Sequence, residues 1–192
     1  IIFLPYFVSM VLVGVFAYNL LNIDNGFVNT MLRALGWGSY NFYIKAEAWP
    51  PIIVAVNVWK GLGYGSIIYL SALTAIDPGY YEAARIDGAT KWQQLRCITW
   101  PMLKPTLMIL IMFSLGGILK GQFELFYQLI GKNGLLYATT DIIDTYVYRS
   151  LTVNFDIGMG SAAGVYQSVF GLVLVVGINA IVRRVNNEYA LF

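Results

Sequence analysis

The chain has no histidine and a single cysteine, Cys97. A disulfide within the chain is excluded, and the usual ligand sets for zinc or haem cannot be assembled, so no metal or cofactor is expected. Charge is scarce as well: 12 Lys and Arg with 10 Asp and Glu make 11% of 192 residues, against about 25% in soluble domains. A net charge of +2 supplies no concentrated basic patch, so nucleic acid is not expected as a partner. A P-loop is missing too, because Gly131-Lys132 is followed by Asn133 and Phe126 stands where the first glycine is required. What the chain does have is 58% hydrophobic and 16% aromatic residues, the composition of an integral membrane protein and not of a disordered segment. Ile1 lies already inside an apolar run, and the chain is expected to be truncated at its N-terminus.

Four apolar runs stand out. Ile1–Leu21 holds 21 residues without a charge, enough to cross roughly 30 Å of hydrocarbon as a helix. Pro51–Ile76 and Ile157–Val182 hold 26 residues each, the former broken only by Lys60. Pro105–Leu119 gives 15 uncharged residues before Lys120, short of the roughly 20 needed. It is expected to run on towards Ile130, with Lys120 and Glu124 paired four residues apart on one face. The fold expected is all-α and polytopic, one membrane domain over 1–192 with about four transmembrane helices. Lys and Arg number six in the central segment Asp77–Lys104 plus the C-terminus, and five in the two outer connections. That bias leans towards a cytoplasmic central segment.

The central segment, 77–104, is punctuated as helix, turn, helix. Asp77 can cap the first helix, with Pro78 at its first position. Gly88 can take the left-handed conformation that ends it. Thr90 and Gln93 make a capping box for a second helix of about ten residues, which Pro101 is expected to close. Such a hairpin is either a docking element or a solvated connection between spans, and the residues alone leave both open.

The spacing Glu82-Ala83-Ala84, three residues, Gly88, nine residues, Ile98, two residues, Pro101 resembles the EAA motif of permease subunits of binding-protein-dependent ABC importers. Trp100 stands where that pattern usually has leucine. The string Tyr81–Ala89 is similar to the carbohydrate branch of the family, and Asp144–Arg149 and Arg183–Tyr189 resemble the polysaccharide and oligosaccharide permeases of Gram-positive bacteria. The resemblance implies a multi-pass protein of the cell membrane that forms half of a translocation pathway for a carbohydrate and performs no chemistry of its own. It implies four kinds of partner: a cytoplasmic ABC ATPase subunit, a second permease subunit, an extracytoplasmic solute-binding protein and the lipid bilayer. Glu82, Ala83, Ala84, Asp87, Gly88, Ile98 and Pro101 are the expected coupling residues.

Other constellations are weaker. Lys60 is an intramembrane charge, which marks either a pathway residue or a side chain snorkelling to the nearby interface. Trp59, Tyr64 and Phe123, with Phe126 and Tyr127, could offer faces to a sugar ring, although aromatic residues also anchor membrane interfaces. The glycines at 61, 63 and 65 suggest close helix packing, as do the G-x-x-x-G pairs at 117/121 and 160/164. Cys97 is expected to be a small buried side chain. The competing class is an ion-coupled carrier or channel, for which paired intramembrane carboxylates or broken helices would be expected.

Overall fold

The structure, a computed structural model, describes residues 2–185. Ile1 and the end of the C-terminal string, Asn186–Tyr189, lie outside the described residues. Regular structure among the described residues is helical throughout: α1 (Leu4–Phe7), α2 (Met10–Leu21), α3 (Phe27–Ala34), α4 (Trp49–Thr74), α5 (Pro78–Ile86), α6 (Lys91–Gln94), α7 (Trp100–Gly116), α8 (Phe123–Ile130), α9 (Tyr137–Thr140), α10 (Ile143–Thr152) and α11 (Ile157–Val185). Three continuous helical stretches are long and apolar enough to cross a membrane: Ala46–Thr74, Lys91–Leu115 and Ile157–Arg184, of 29, 25 and 28 residues. Met10–Leu21 is a shorter apolar helix.

Two of the expected runs differ in extent. Ile1–Leu21 is not one helix: Val8 is extended (φ −67°, ψ 126°), and Ser9 starts α2 afresh by accepting the Leu12 N–H at 3.3 Å. The serine offers its hydroxyl as a local partner for a backbone donor, and that competes with continuation of the helix. The run at 105–119 does not continue to Ile130. It stops at Gly116, and α8 starts separately at Phe123. Lys120 therefore lies outside the helix that carries Glu124, and the ion pair among the described residues is Arg149–Asp141 at 2.6 Å. The missing length comes from the other end. Pro101 does not close the second motif helix, because Leu95–Thr99 form a π-helical turn that leads α6 directly into α7. A proline ring clashes with the carbonyl four residues earlier, here Cys97, and a widened turn at that place lets the chain stay helical.

The chain divides into two compact units, 1–63 with 120–168, and 64–119 with 169–192. In the first, Val13 and Ala17 of α2, Ile53 of α4, Leu125, Leu129 and Ile130 of α8, and Leu136 close around Trp49, which is fully buried. The Trp49 indole N–H donates to the Phe42 carbonyl at 2.8 Å, so the polar tip of the buried ring is satisfied. Gly14 lets α2 approach α8, since a Cβ there would lie 2.6 Å from the Gln128 carbonyl oxygen. Gly14 was not among the expected glycines; of those that were, Gly63 meets the backbone of Ile2 and Phe3, Gly121 meets Ile142 and Asp144 and Gly160 meets Leu151, whereas Gly117 has only ordinary contacts and Gly61, Gly65 and Gly164 face open space. The connections 22–48 and 120–156 are knitted together by Asn133 Nδ2 donating to Tyr43 O at 2.7 Å and Thr139 Oγ1 donating to Ala46 O at 2.6 Å. The second unit has few buried apolar side chains, Ile76 and Met112 among them, and contains the helical hairpin.

Candidate functional site

The hairpin begins where Asp77 accepts the Gly79 N–H at 2.8 Å and Pro78 opens α5. It ends in a Schellman motif: Gly88 (φ 76°) donates to Arg85 O at 3.1 Å and Ala89 donates to Ala84 O at 2.8 Å. A Cβ on Gly88 would meet nothing within 4 Å. Conformation and not space therefore demands glycine here. Thr90 then completes its capping box, its N–H donating to Gln93 Oε1 at 2.8 Å and its hydroxyl accepting the Gln93 N–H at 3.4 Å. The buried Gln94 adds a bond from Nε2 to Ala89 O at 3.1 Å.

The two arms are tied by a contact the sequence did not reveal. Tyr81 and Thr99 share a hydroxyl–hydroxyl bond of 2.9 Å, with Thr99 buried in the π-helical turn. Tyr81 belongs to the motif string and Thr99 adjoins Ile98, but nothing in their spacing of eighteen residues marks them as partners.

The side chains of Glu82, Ala83, Arg85 and Asp87 are exposed, and Ala84 and Ile98 are half-buried. Pro101 is exposed on the continuing helix. Glu82, Arg85 and Asp87 enter no ion pair among the described residues. Ile86, 87% exposed, and Trp92, 69% exposed, add apolar surface on the two sides of the turn. Charged groups without internal partners around exposed apolar ones make a surface suited to another protein. Cys97 is also exposed, against the expectation of burial, because the widened turn buries Thr99 and not Cys97.

The candidate pathway residues fall in different places. The Lys60 ammonium donates to Val8 O at 2.5 Å, Tyr6 O at 3.0 Å and Pro5 O at 3.5 Å. Its ammonium donates into the break between α1 and α2, where Pro5 O also accepts the Val8 N–H at 3.2 Å. Trp59 lines an apolar cavity of about 540 Å³ between α2 and α4. Tyr64 lies in the other unit.

Phe123 stacks on Tyr127 with ring centroids 5.2 Å apart, and Tyr148 of α10 completes the cluster at 5.1 and 5.0 Å from the two rings. Beside them is a cavity of about 220 Å³ lined by Tyr127, Tyr137, Tyr148, Thr140, Thr145, Lys132 and Arg149 among others. The bond to the Tyr148 hydroxyl pushes the Tyr127 phenol above its ordinary pKa. Asp141 accepts two bonds from Arg149, at 2.6 and 3.2 Å, which raises the guanidinium further, and Arg149 lies over the Tyr137 ring at 4.2 Å. Asp144 bridges three segments, accepting from Gly121 N at 2.6 Å and Gln167 Nε2 at 3.2 Å. The four-residue spacing of Phe123 and Tyr127 was legible. Tyr148 joins from another helix and was not singled out.

Comparison with known proteins adds the following. The family described as "Binding-protein-dependent transport system inner membrane component" matches residues 1–187. The chain is 33% identical over 187 residues to the polygalacturonan/rhamnogalacturonan transport system permease protein YteP of Bacillus subtilis, covering 97% of this chain and 58% of that protein. It is 32% identical over 180 residues to the lactose transport system permease protein LacF of Rhizobium radiobacter, covering 91% and 58%. Among solved structures, a chain of a bacterial ABC transporter involved in the import of the acidic polysaccharide alginate is 37% identical, with a TM-score of 0.87 over 97% of this chain and 64% of that one. The chain thus spans somewhat under two thirds of the length of these relatives.

Proposed function

The chain belongs to the binding-protein-dependent transport system inner membrane components, and from that premise we propose that it is the membrane-spanning core of an ABC permease that imports an oligosaccharide. The observation that carries the reading is the hairpin at 77–101. Its backbone is fixed by two caps and a Schellman turn, while its charged and apolar side chains are exposed and enter no ion pair among the described residues. A rigid element with an unfilled surface suits transmission of motion from a separate ATPase subunit. Closure of that subunit on ATP would push α5, and the rigid helix from Lys91 to Leu115 would carry the displacement into the membrane. Glu82, Ala83, Ala84, Asp87 and Gly88 are the contact and turn, and Ile98 and Pro101 the joint to the span. The polypeptide itself performs no chemical step.

Three candidate spans among the described residues, with the Lys and Arg bias, support a topology in which the hairpin is cytoplasmic and the connections 22–48 and 120–156 are extracytoplasmic. There they would meet a solute-binding protein, and a second permease subunit would supply the other half of the pathway. The neighbours support the substrate class, since they handle polygalacturonan, lactose and alginate. The Phe123–Tyr127–Tyr148 cluster offers aromatic faces on which sugar rings stack. Trp59, Tyr64 and Phe123 remain candidates for the pathway, and Lys60 is better placed as support for the broken helix. An ion-coupled carrier would also use a broken helix, but at this break the Tyr6 and Val8 carbonyls already accept from the Lys60 ammonium, a cation the chain itself supplies.

Uptake of labelled oligosaccharides and labelled peptides, compared in cells carrying the complete operon with and without this gene, tests the reading. Gene-dependent uptake of sugars alone is expected. Gene-dependent uptake of peptides alone would overturn the substrate class. Sidedness is read from the exposed Cys97: an impermeant maleimide is expected to label it only after the cells are opened, and labelling in intact cells would reverse the topology.

A further inference from the structure

The short helix α3 carries an apolar ridge that nothing among the described residues covers. Phe27, Met31 and Leu35 recur at every fourth position and are 60%, 53% and 64% exposed. Trp37 follows at 78% exposure. It is not a loose loop tip: Gly36 (φ 77°) donates to Arg33 O at 3.0 Å and Trp37 N donates to Leu32 O at 3.0 Å, a Schellman end that fixes the indole beside the ridge.

The opposite side of α3 is polar and tied inward. Asn29 is fully buried and donates through Nδ2 to Leu21 O, Asn22 O and Tyr40 O at 3.3, 3.0 and 3.0 Å, while its Oδ1 accepts the Tyr40 N–H at 2.7 Å. Arg33 turns away as well and donates to Asp24 O at 2.6 Å. The charge of the helix is therefore held on the side away from the ridge.

Leu21 and Asn22 are the last residue and the cap of α2, the apolar helix of the first run. Asn29 thus pins α3 to the point where that helix ends. A helix with an aromatic and aliphatic ridge, a polar back carrying an arginine, and a fixed tryptophan at the end of an apolar helix has the properties of an interfacial helix. We propose that α3 and Trp37 lie in the boundary between headgroups and acyl chains of the bilayer, in the extracytoplasmic leaflet if the topology proposed above holds. α2, which α3 is pinned to, also exposes apolar side chains, Val15, Phe16 and Leu20 among them. The anchor fixes the depth of the connection 22–48.

The test uses the assembled full-length transporter in nanodiscs of phosphatidylcholine and phosphatidylglycerol, in a Cys97→Ser background. A bimane label is placed in turn at Met31→Cys, Leu35→Cys and, as an aqueous reference, Asn25→Cys. Quenching by phosphatidylcholine carrying a nitroxide near the headgroup is compared with quenching by iodide in the buffer. The ratio of lipid to iodide quenching is expected to be at least about twofold higher at positions 31 and 35 than at 25. Equal ratios would show a ridge in water. Shielding of positions 31 and 35 from both quenchers would show a protein cover, the second permease subunit or the solute-binding protein, and either result overturns the proposal. A label-free check is the difference in bromolipid quenching of tryptophan fluorescence between the native transporter and Trp37→Phe. A quenched component that disappears in the variant is expected, and no difference contradicts the assignment.

Discussion

The hairpin at 77–101 and the layer formed by 22–48 with 120–156 are both polar stretches between apolar helices, yet they are held together in opposite ways. In the hairpin, most stabilising bonds join residues two to five apart: Asp77 to Gly79, Thr90 to Gln93, Ala84 to Ala89. In the layer they join residues remote in sequence, as when Asn133 reaches Tyr43 across 90 positions and Thr139 reaches Ala46 across 93. The hairpin is held mainly by local bonds and keeps its charged side chains exposed, as the docking proposed above requires. The layer consumes its polar groups internally and keeps its shape only while both segments are in place. A moving part and a static frame would be built differently in this way.

The comparison can be broken most severely at the hairpin's surface and turn. Gly88→Val opposes a left-handed residue, and Glu82→Lys reverses a charge that has no internal partner. Each is expected to lower uptake at least about tenfold, more than 1.4 kcal/mol of coupling, with the protein still inserted in the membrane. Radiolabelled uptake together with co-purification of the ATPase subunit reads both effects. Normal uptake in both variants would remove the distinction between the two regions.

In the layer the largest expected effect is on stability. Asn29→Leu removes the partner of the Leu21 and Tyr40 carbonyls and of the Tyr40 N–H, while Asn22 O keeps the Gly26 N–H at 3.0 Å. A loss of about 3 kcal/mol is expected, from roughly 1 to 3 kcal/mol for each buried group left unsatisfied. Thermal unfolding of the detergent-solubilised transporter measures it, and an unchanged midpoint would show that the layer does not depend on this residue.

Legibility followed the same division. Asp77, Pro78, Gly88, Thr90 and Gln93 could be assigned from sequence because each acts on its own near neighbours, and the structure places every one of them as expected. The role of Pro101 was misjudged because a π-helical turn has no residue signature, and it converts a stop into a joint. The break at Val8–Ser9 was hidden by an uncharged run, and Lys60 could not be matched to Pro5, Tyr6 and Val8 across more than fifty residues. Asn29, Asp144 and Tyr148 were overlooked as individual residues for the same reason. Their importance comes from partners that only the fold brings near.

Smaller effects sharpen the picture. Tyr81→Phe removes the hydroxyl bond that ties the hairpin's arms at Thr99 and is expected to cost about 1 kcal/mol. Uptake should fall only in part, and a complete loss would mean that Tyr81 touches the partner directly. The smallest effect is at Tyr43, whose phenol is pushed up to about 12, first by burial and then by Tyr18. Because the folded state holds this proton more tightly than the unfolded one, its contribution is fully present below about pH 10 and fades as pH rises towards 12. Ultraviolet titration should show a late tyrosinate component that shrinks by one phenol in Tyr43→Phe, and an unchanged late component would contradict the assignment.

The central claim is that the hairpin, and not the layer, receives the ATPase subunit. A photo-crosslinking residue in place of Ile86, 87% exposed at the end of α5, tests this in the assembled transporter, with the same residue in place of Trp37 as the comparison. The account predicts an adduct with the ATPase subunit from position 86 and none from position 37. An ATPase adduct from position 37, or none from position 86 in a transporter that still takes up its substrate, would contradict it.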